Sequence, residues 1–131
     1  MLYAVLCYNS EDSVFSWSKQ EEEAVMGKLV AAQEKMAKAG KLGPVARLLP
    51  TTAATTLRKD REPPLVIDGP FAETKEQLLG FYVVDCENLE GALEVARDLG
   101  AANPGGSYEI RPIGKFRPGS LVASAAGTVS A

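Results

Sequence analysis

Apolar residues run from Leu2 to Cys7, and the run ends at Tyr8 before the polar cluster Asn9-Ser10-Glu11-Asp12. That is the pattern of a short strand buried on both faces. A long helix follows from about Lys19 to Ala39. Ser18 and Glu21 stand at capping-box spacing, where hydroxyl and carboxylate satisfy free amides of the first turn. Val25, Leu29, Ala32 and Met36 recur at steps of four and three and form one apolar stripe, while Glu22, Lys28, Lys35 and Lys38 face water. Gly40 ends the helix, because glycine tolerates the left-handed position there.

Lys41 to Pro50 is predicted to be extended, with Pro44 and Pro50 marking an edge. Thr55-Thr56-Leu57-Arg58 and Leu65-Val66-Ile67 read as two β arms around a polar tip, Lys59 to Pro64. Asp68-Gly69-Pro70-Phe71 has the chemistry of a turn. Leu78 to Cys86 is the clearest strand, apolar or aromatic on both faces. Asn88 caps a second helix that runs to about Leu99, with Gly100 as its stop and Pro104-Gly105-Gly106 as the return. Tyr108 to Ile113 makes a last strand. Residues 1–116 form one domain, and 117–131 is a small-residue tail with no charge after Arg117, expected to be flexible.

Strand, helix, strands, helix, strand is the order of the α+β, ferredoxin-like split βαβ arrangement. Right-handed crossovers put both helices on one face of the sheet. The other face is then bare, yet the first and fifth strands are apolar on both sides. An apolar sheet left open to water is a sticky patch, and pairing two such faces by a twofold axis covers it. A homodimer is therefore expected.

Composition narrows the chemistry. The 131 residues carry a net charge of -3 and a pI near 5.0, so there is no basic field for nucleic acid. Met1 to Cys7 is too short an apolar run for a signal peptide or a bilayer span, which makes no membrane partner and cytoplasmic residence the expectations. Cys7 and Cys86 are the only cysteines and read as small buried hydrophobes. There is no histidine. Acid–base work would fall to carboxylates, Lys, Tyr or Cys, and no spacing points to a metal or a cofactor.

Several residues are candidates on their own chemistry. Asp68, Glu73, Lys75 and Glu76 crowd one short stretch, where a partly desolvated carboxylate from Asp68 or Glu73 could act as acid or base. The plain account of the same stretch is a turn bent by Gly69-Pro70 and locked by Phe71 in an apolar pocket. Tyr8 points either into a cleft between helices and sheet or into the dimer interface. Arg111 either grips a ligand carboxylate or pairs with a neighbour such as Glu109. Trp17, just before the first helix, reads as a hydrophobic staple.

The stretch Asp68-Gly69-Pro70-Phe71-Ala72-Glu73-Thr74-Lys75-Glu76 closely resembles the signature of the bacterial DGPF (DGPFAETKE) family, a branch of the YciI-like, YCII-related proteins. Leu6-Cys7-Tyr8, Ala54 to Arg58 and Gly105 to Pro112 agree with it, and the resemblance covers about residues 1 to 118. It implies a dimeric α+β barrel. It also implies a largely undefined function, with some members linked to extracytoplasmic-function sigma factors. The His-Asp pair proposed as a catalytic centre elsewhere among YciI-like proteins has no histidine here to supply it. Two readings stand. One is a small-metabolite-binding or regulatory module, with Tyr8, Asp68, Phe71, Glu73, Lys75 and Arg111 as candidate ligand contacts. The other is a cofactor-free enzyme acting on a small organic acid through Asp68 or Glu73, with Arg111 as anion anchor.

Overall fold

In a computed structural model of the chain, which describes residues 1–121, β1 (Leu2–Asn9) lies inside a four-stranded sheet. The other members are β2 (Leu42–Arg47), β5 (Gln77–Asp85) and β6 (Ser107–Pro112), in the order β2-β5-β1-β6 with every neighbouring pair antiparallel. This mixed α+β arrangement is compatible with the ferredoxin-like fold expected from the element order. Of the expected tail, residues 122–131 lie outside the described residues.

The capping box at the long helix α2 (Lys19–Lys38) is present in both halves. Glu21 N–H donates to Ser18 Oγ at 3.1 Å, and Ser18 N–H donates to the Glu21 carboxylate at 3.3 Å. Asn88 caps α3 (Leu89–Ala102), its side-chain oxygen accepting from Gly91 N–H at 3.0 Å. Two expectations needed correction. Gly100 does not stop α3, which continues to Ala102; one glycine inside a packed helix costs only about 1 kcal/mol relative to alanine, which burial of Leu99 and Ala102 outweighs. The polar cluster after β1 does not stay irregular either. Ser10 accepts from Ser13 N–H and starts a short helix, α1 (Glu11–Phe15), whose Val14 is buried.

The core lies on the helix face of the sheet. Tyr3, Val5 and Cys7 of β1 and Tyr82 and Val84 of β5 meet Leu29 and Met36 of α2 and Ala92, Val95 and Leu99 of α3. Alternation along the strands sends the other residues to the opposite face, where Ala4 stands beside Val83 and Leu6 beside Phe81. Among the described residues no helix contributes to the core from that side.

The two β arms form as expected: among the described residues β3 (Thr55–Arg58) pairs with β4 (Leu65–Asp68) alone, as a separate two-stranded sheet. Leu57, Leu65, Val66 and Ile67 on it are exposed. Among the described residues no helix is long and apolar enough to cross a membrane.

Candidate functional site

Near the Asn9 end of β1 the regular ladder breaks. Cys7 pairs with Gly80 but Tyr8 pairs with Leu78, so Leu79 is an extra residue in β5. A bulge of this kind re-aims side chains and bends the strand. Cys7 and Tyr8 both border a cavity of about 280 Å³; Cys7 faces the helices, whereas alternation turns the Tyr8 side chain to the other face of the sheet, near Arg111. Gly80 permits the close passage of β2, since a Cβ there would lie 2.4 Å from the Ala46 carbonyl oxygen. Gly106, at φ +77°, does the same beside β1, where a Cβ would lie 2.3 Å from the Tyr8 carbonyl oxygen.

The body of the cavity is apolar: Val14 of α1, Trp17, and Val25, Met26 and Leu29 of α2. Its polar groups are hydroxyls and amides. Tyr8, Tyr82 and Tyr108 line it, as do Asn9, Gln33 and Asn103. Gln33 Nε2 donates to Tyr82 Oη and Asn103 Nδ2 donates to Tyr108 Oη, each at 3.3 Å. At the rim, Arg47 stands 3.9 Å from the Glu22 carboxylate.

Burial keeps the inner groups uncharged. It pushes the Cys7 thiol up to about 12 and the Tyr108 hydroxyl to about 12, and it raises Tyr82 against the opposing effect of the Gln33 hydrogen bond. Cys7 is thus a protonated thiol, a poor nucleophile. The arrangement can bind a small molecule through dispersion and neutral hydrogen bonds. At ~30 Å³ per water it has room for about nine waters, close to the small end of ligand pockets at ~300 Å³.

The residues singled out from the sequence are not gathered here. Tyr8 is in the wall; Asp68, Phe71, Glu73, Lys75 and Arg111 are not. Asp68 pairs with Thr55 in the β3–β4 arm. The turn after it is held by backbone: Gly69 N–H donates to the Ala54 carbonyl at 2.8 Å, and the Thr56 hydroxyl donates to the Gly69 carbonyl at 2.9 Å. Phe71 plugs no pocket. It is 73% exposed, with the Arg58 guanidinium 5.1 Å from its ring centre, a cation–π contact at the surface. Glu73 and Lys75 are exposed. Arg111 takes the pairing alternative, its Nε donating to Glu109 at 2.8 Å, and Glu109 raises the already high Arg111 pKa.

Sequence reasoning missed Gln33, Tyr82 and Tyr108 as site residues and read Trp17 as a staple. The staple lacks its partner, since the position four residues into α2 is Glu22, and Trp17 turns to the cavity instead. One signal was visible: Gln33 follows Leu29 by four residues, a polar side chain inside the apolar stripe.

Comparison with known proteins places the chain in a family. The family model described as "YCII-related domain" matches residues 1–117. An uncharacterised protein of Rhizobium meliloti (strain 1021) is 62% identical over 122 residues, which cover 92% of this chain and 98% of that protein.

Proposed function

The chain belongs to the YCII-related domain family, and from that premise we propose that it is a binding module for a small, largely apolar molecule with hydrogen-bonding edges. The observation that carries the reading is the cavity wall, where the Tyr82 and Tyr108 hydroxyls, each bonded to the amide of Gln33 or Asn103, are set in an apolar surface. Hydroxyls and amides orient a ligand without charge, and the aromatic faces supply contact area. The alternative, carboxylate acid–base catalysis on a small acid, has less support. Its candidates Asp68 and Glu73 are exposed on or beside the arm, and its proposed anchor Arg111 is occupied by Glu109.

The finer assignment within the family, to the DGPF branch, rests on the motif at 68–76, and an association with a sigma factor in the cytoplasm follows only from that branch. A homodimer closing into an α+β barrel is supported by the apolar outer face of the sheet. It is also supported by the arm, because a lone two-stranded hairpin is marginally stable in water and needs a packing partner.

The test is a thermal-shift screen with small neutral and weakly polar compounds, run on the wild type, Val25→Phe and Asp68→Asn. A compound at one hundred times its dissociation constant adds about 2.7 kcal/mol. Hits lost in Val25→Phe, which fills the cavity, and kept in Asp68→Asn support the reading. Hits lost in Asp68→Asn and kept in Val25→Phe move the site to the motif and restore the catalytic alternative.

A further inference from the structure

Asn103, Gly105 and Tyr108 line the cavity on one side and a second cavity, of about 380 Å³, on the other. The second cavity lies between α3 and β6. Leu93, Arg97 and Gly100, at steps of four and three, present one face of α3 to it, and Ser107 and Ile110 of β6 stand opposite. The partition between the two spaces is thin. Gly105 brings no side chain, and the remaining barrier is the Tyr108 ring with the Asn103 amide, joined by a single hydrogen bond of 3.3 Å, near the long limit for such bonds. Tyr108 and Asn103 border both spaces, so a molecule reaching from one into the other passes them.

Arg97 gives the second cavity a chemical character that the first lacks. It is the only Lys or Arg of α3, and no ion pair among the described residues includes it. On a chain of net charge -3 it is a local cation on an open hollow whose apolar side chains are Leu93, Ala96 and Ile110, with Tyr108 at its edge. Its planar guanidinium matches a carboxylate with two parallel hydrogen bonds. The carbonyl end of α3 borders this space at Gly100 and Asn103 and disfavours an anion there, so the place for a carboxylate is Arg97, which precedes the last turn.

We infer that the two cavities form one continuous site for an amphipathic monocarboxylate, its apolar ring or chain among Trp17, Val25 and Leu29 and its carboxylate on Arg97, past Tyr108. The inference rests on the reading of the first cavity as a binding site and names the ligand class for it.

The experiment is calorimetric titration with a series of phenylalkanoates, from phenylacetate to 5-phenylpentanoate, and with the matching primary amides, on the wild type and on the Arg97→Gln variant. Arg97 is exposed, so its replacement leaves the fold intact. The acid is expected to bind about tenfold more tightly than its amide once the chain is long enough to pass Tyr108, the scale of a charge-assisted hydrogen bond. In Arg97→Gln that preference is lost while amide affinity is unchanged. Equal affinity of acid and amide, or a preference that survives in Arg97→Gln, overturns the inference and leaves the cavity as a binding site for neutral molecules. No binding of any acid or amide overturns both.

Discussion

Glu11 accepts both the backbone N–H of Thr51, at 2.6 Å, and its side-chain hydroxyl. Forty residues of chain separate the two, and the contact ties the first turn of α1 to the connection between β2 and β3. Glu11 N–H in turn donates to Gln77 at 2.9 Å, and the Gln77 amide donates to the Thr74 carbonyl at 2.6 Å. The end of the DGPF-like stretch is thus linked through Gln77 to α1, whose Val14 walls the cavity. Replacing Glu11 with Ala leaves two Thr51 donors without their acceptor. A loss of about 1–3 kcal/mol is expected, read as a lower urea midpoint with unchanged slope. A loss under 0.5 kcal/mol would show that water replaces the carboxylate.

Gly80 is the point where β2 and β5 come closest. Gly80→Ala puts a Cβ against the Ala46 carbonyl, backbone that cannot move aside. Destabilisation of about 1–3 kcal/mol is expected, as for other overpacked sites. The strand ends that frame the cavity should separate, so hydrogen exchange at Ala46 and Arg47 should speed up more than at Val84. Uniform acceleration would mean a global effect only.

The outer face of the sheet tests the homodimer. Leu6 stands beside Phe81 there, away from the helices. With two such faces packed together, Leu6→Glu buries a charge and the protein should sediment as a monomer that keeps its secondary structure. If wild type and variant both sediment as monomers, the pairing proposal is lost. Phe71→Ala adds a second reading. On a free surface its effect should stay within about 0.5 kcal/mol, whereas a partner-covered ring would cost several times more.

Alkaline pH should weaken the fold through Cys7 and Tyr108. The thiol ionises near 9.0 and the phenol near 10.0 in the unfolded chain, and both near 12 in the folded protein. The unfolded state therefore releases protons first, and the stability these groups contribute is full below about pH 9 and falls between about 9 and 12. Denaturant midpoints measured across that range should decline, and Cys7→Ser should remove the part of the decline that begins near 9. At pH 8 the thiol should resist iodoacetamide until the protein is unfolded; rapid labelling of native protein would contradict the buried, protonated state.

Arg111 and Glu109 form an exposed pair on β6, and such pairs contribute about 0–1 kcal/mol. Arg111→Gln should therefore change stability by less than about 1 kcal/mol and leave binding in the cavity untouched. A large loss of binding would return Arg111 to the role of ligand anchor and require the pair to open.

The sequence by itself determined the elements that depend on neighbours within a turn or two. The Ser18–Glu21 capping box, the Asn88 cap, the stripe through Leu29 and Met36, and the apolar inner face of β1 and β5 are local patterns, and each has its counterpart in the structure. The short helix α1 was less legible because Ser10 to Phe15 offers a cap but only one buried side chain, Val14. The cavity was decided by tertiary structure alone. Tyr8, Gln33, Tyr82 and Tyr108 come from β1, α2, β5 and β6, and no spacing along the chain relates them. They meet where β5 carries an extra residue at Leu79 and where Gly80 and Gly106 let backbones pass without a side chain between them. The motif shows the converse. Its residues are conspicuous side by side, but the fold holds the turn by backbone contacts beside an exposed arm and leaves Asp68, Glu73 and Lys75 on the surface, outside the cavity.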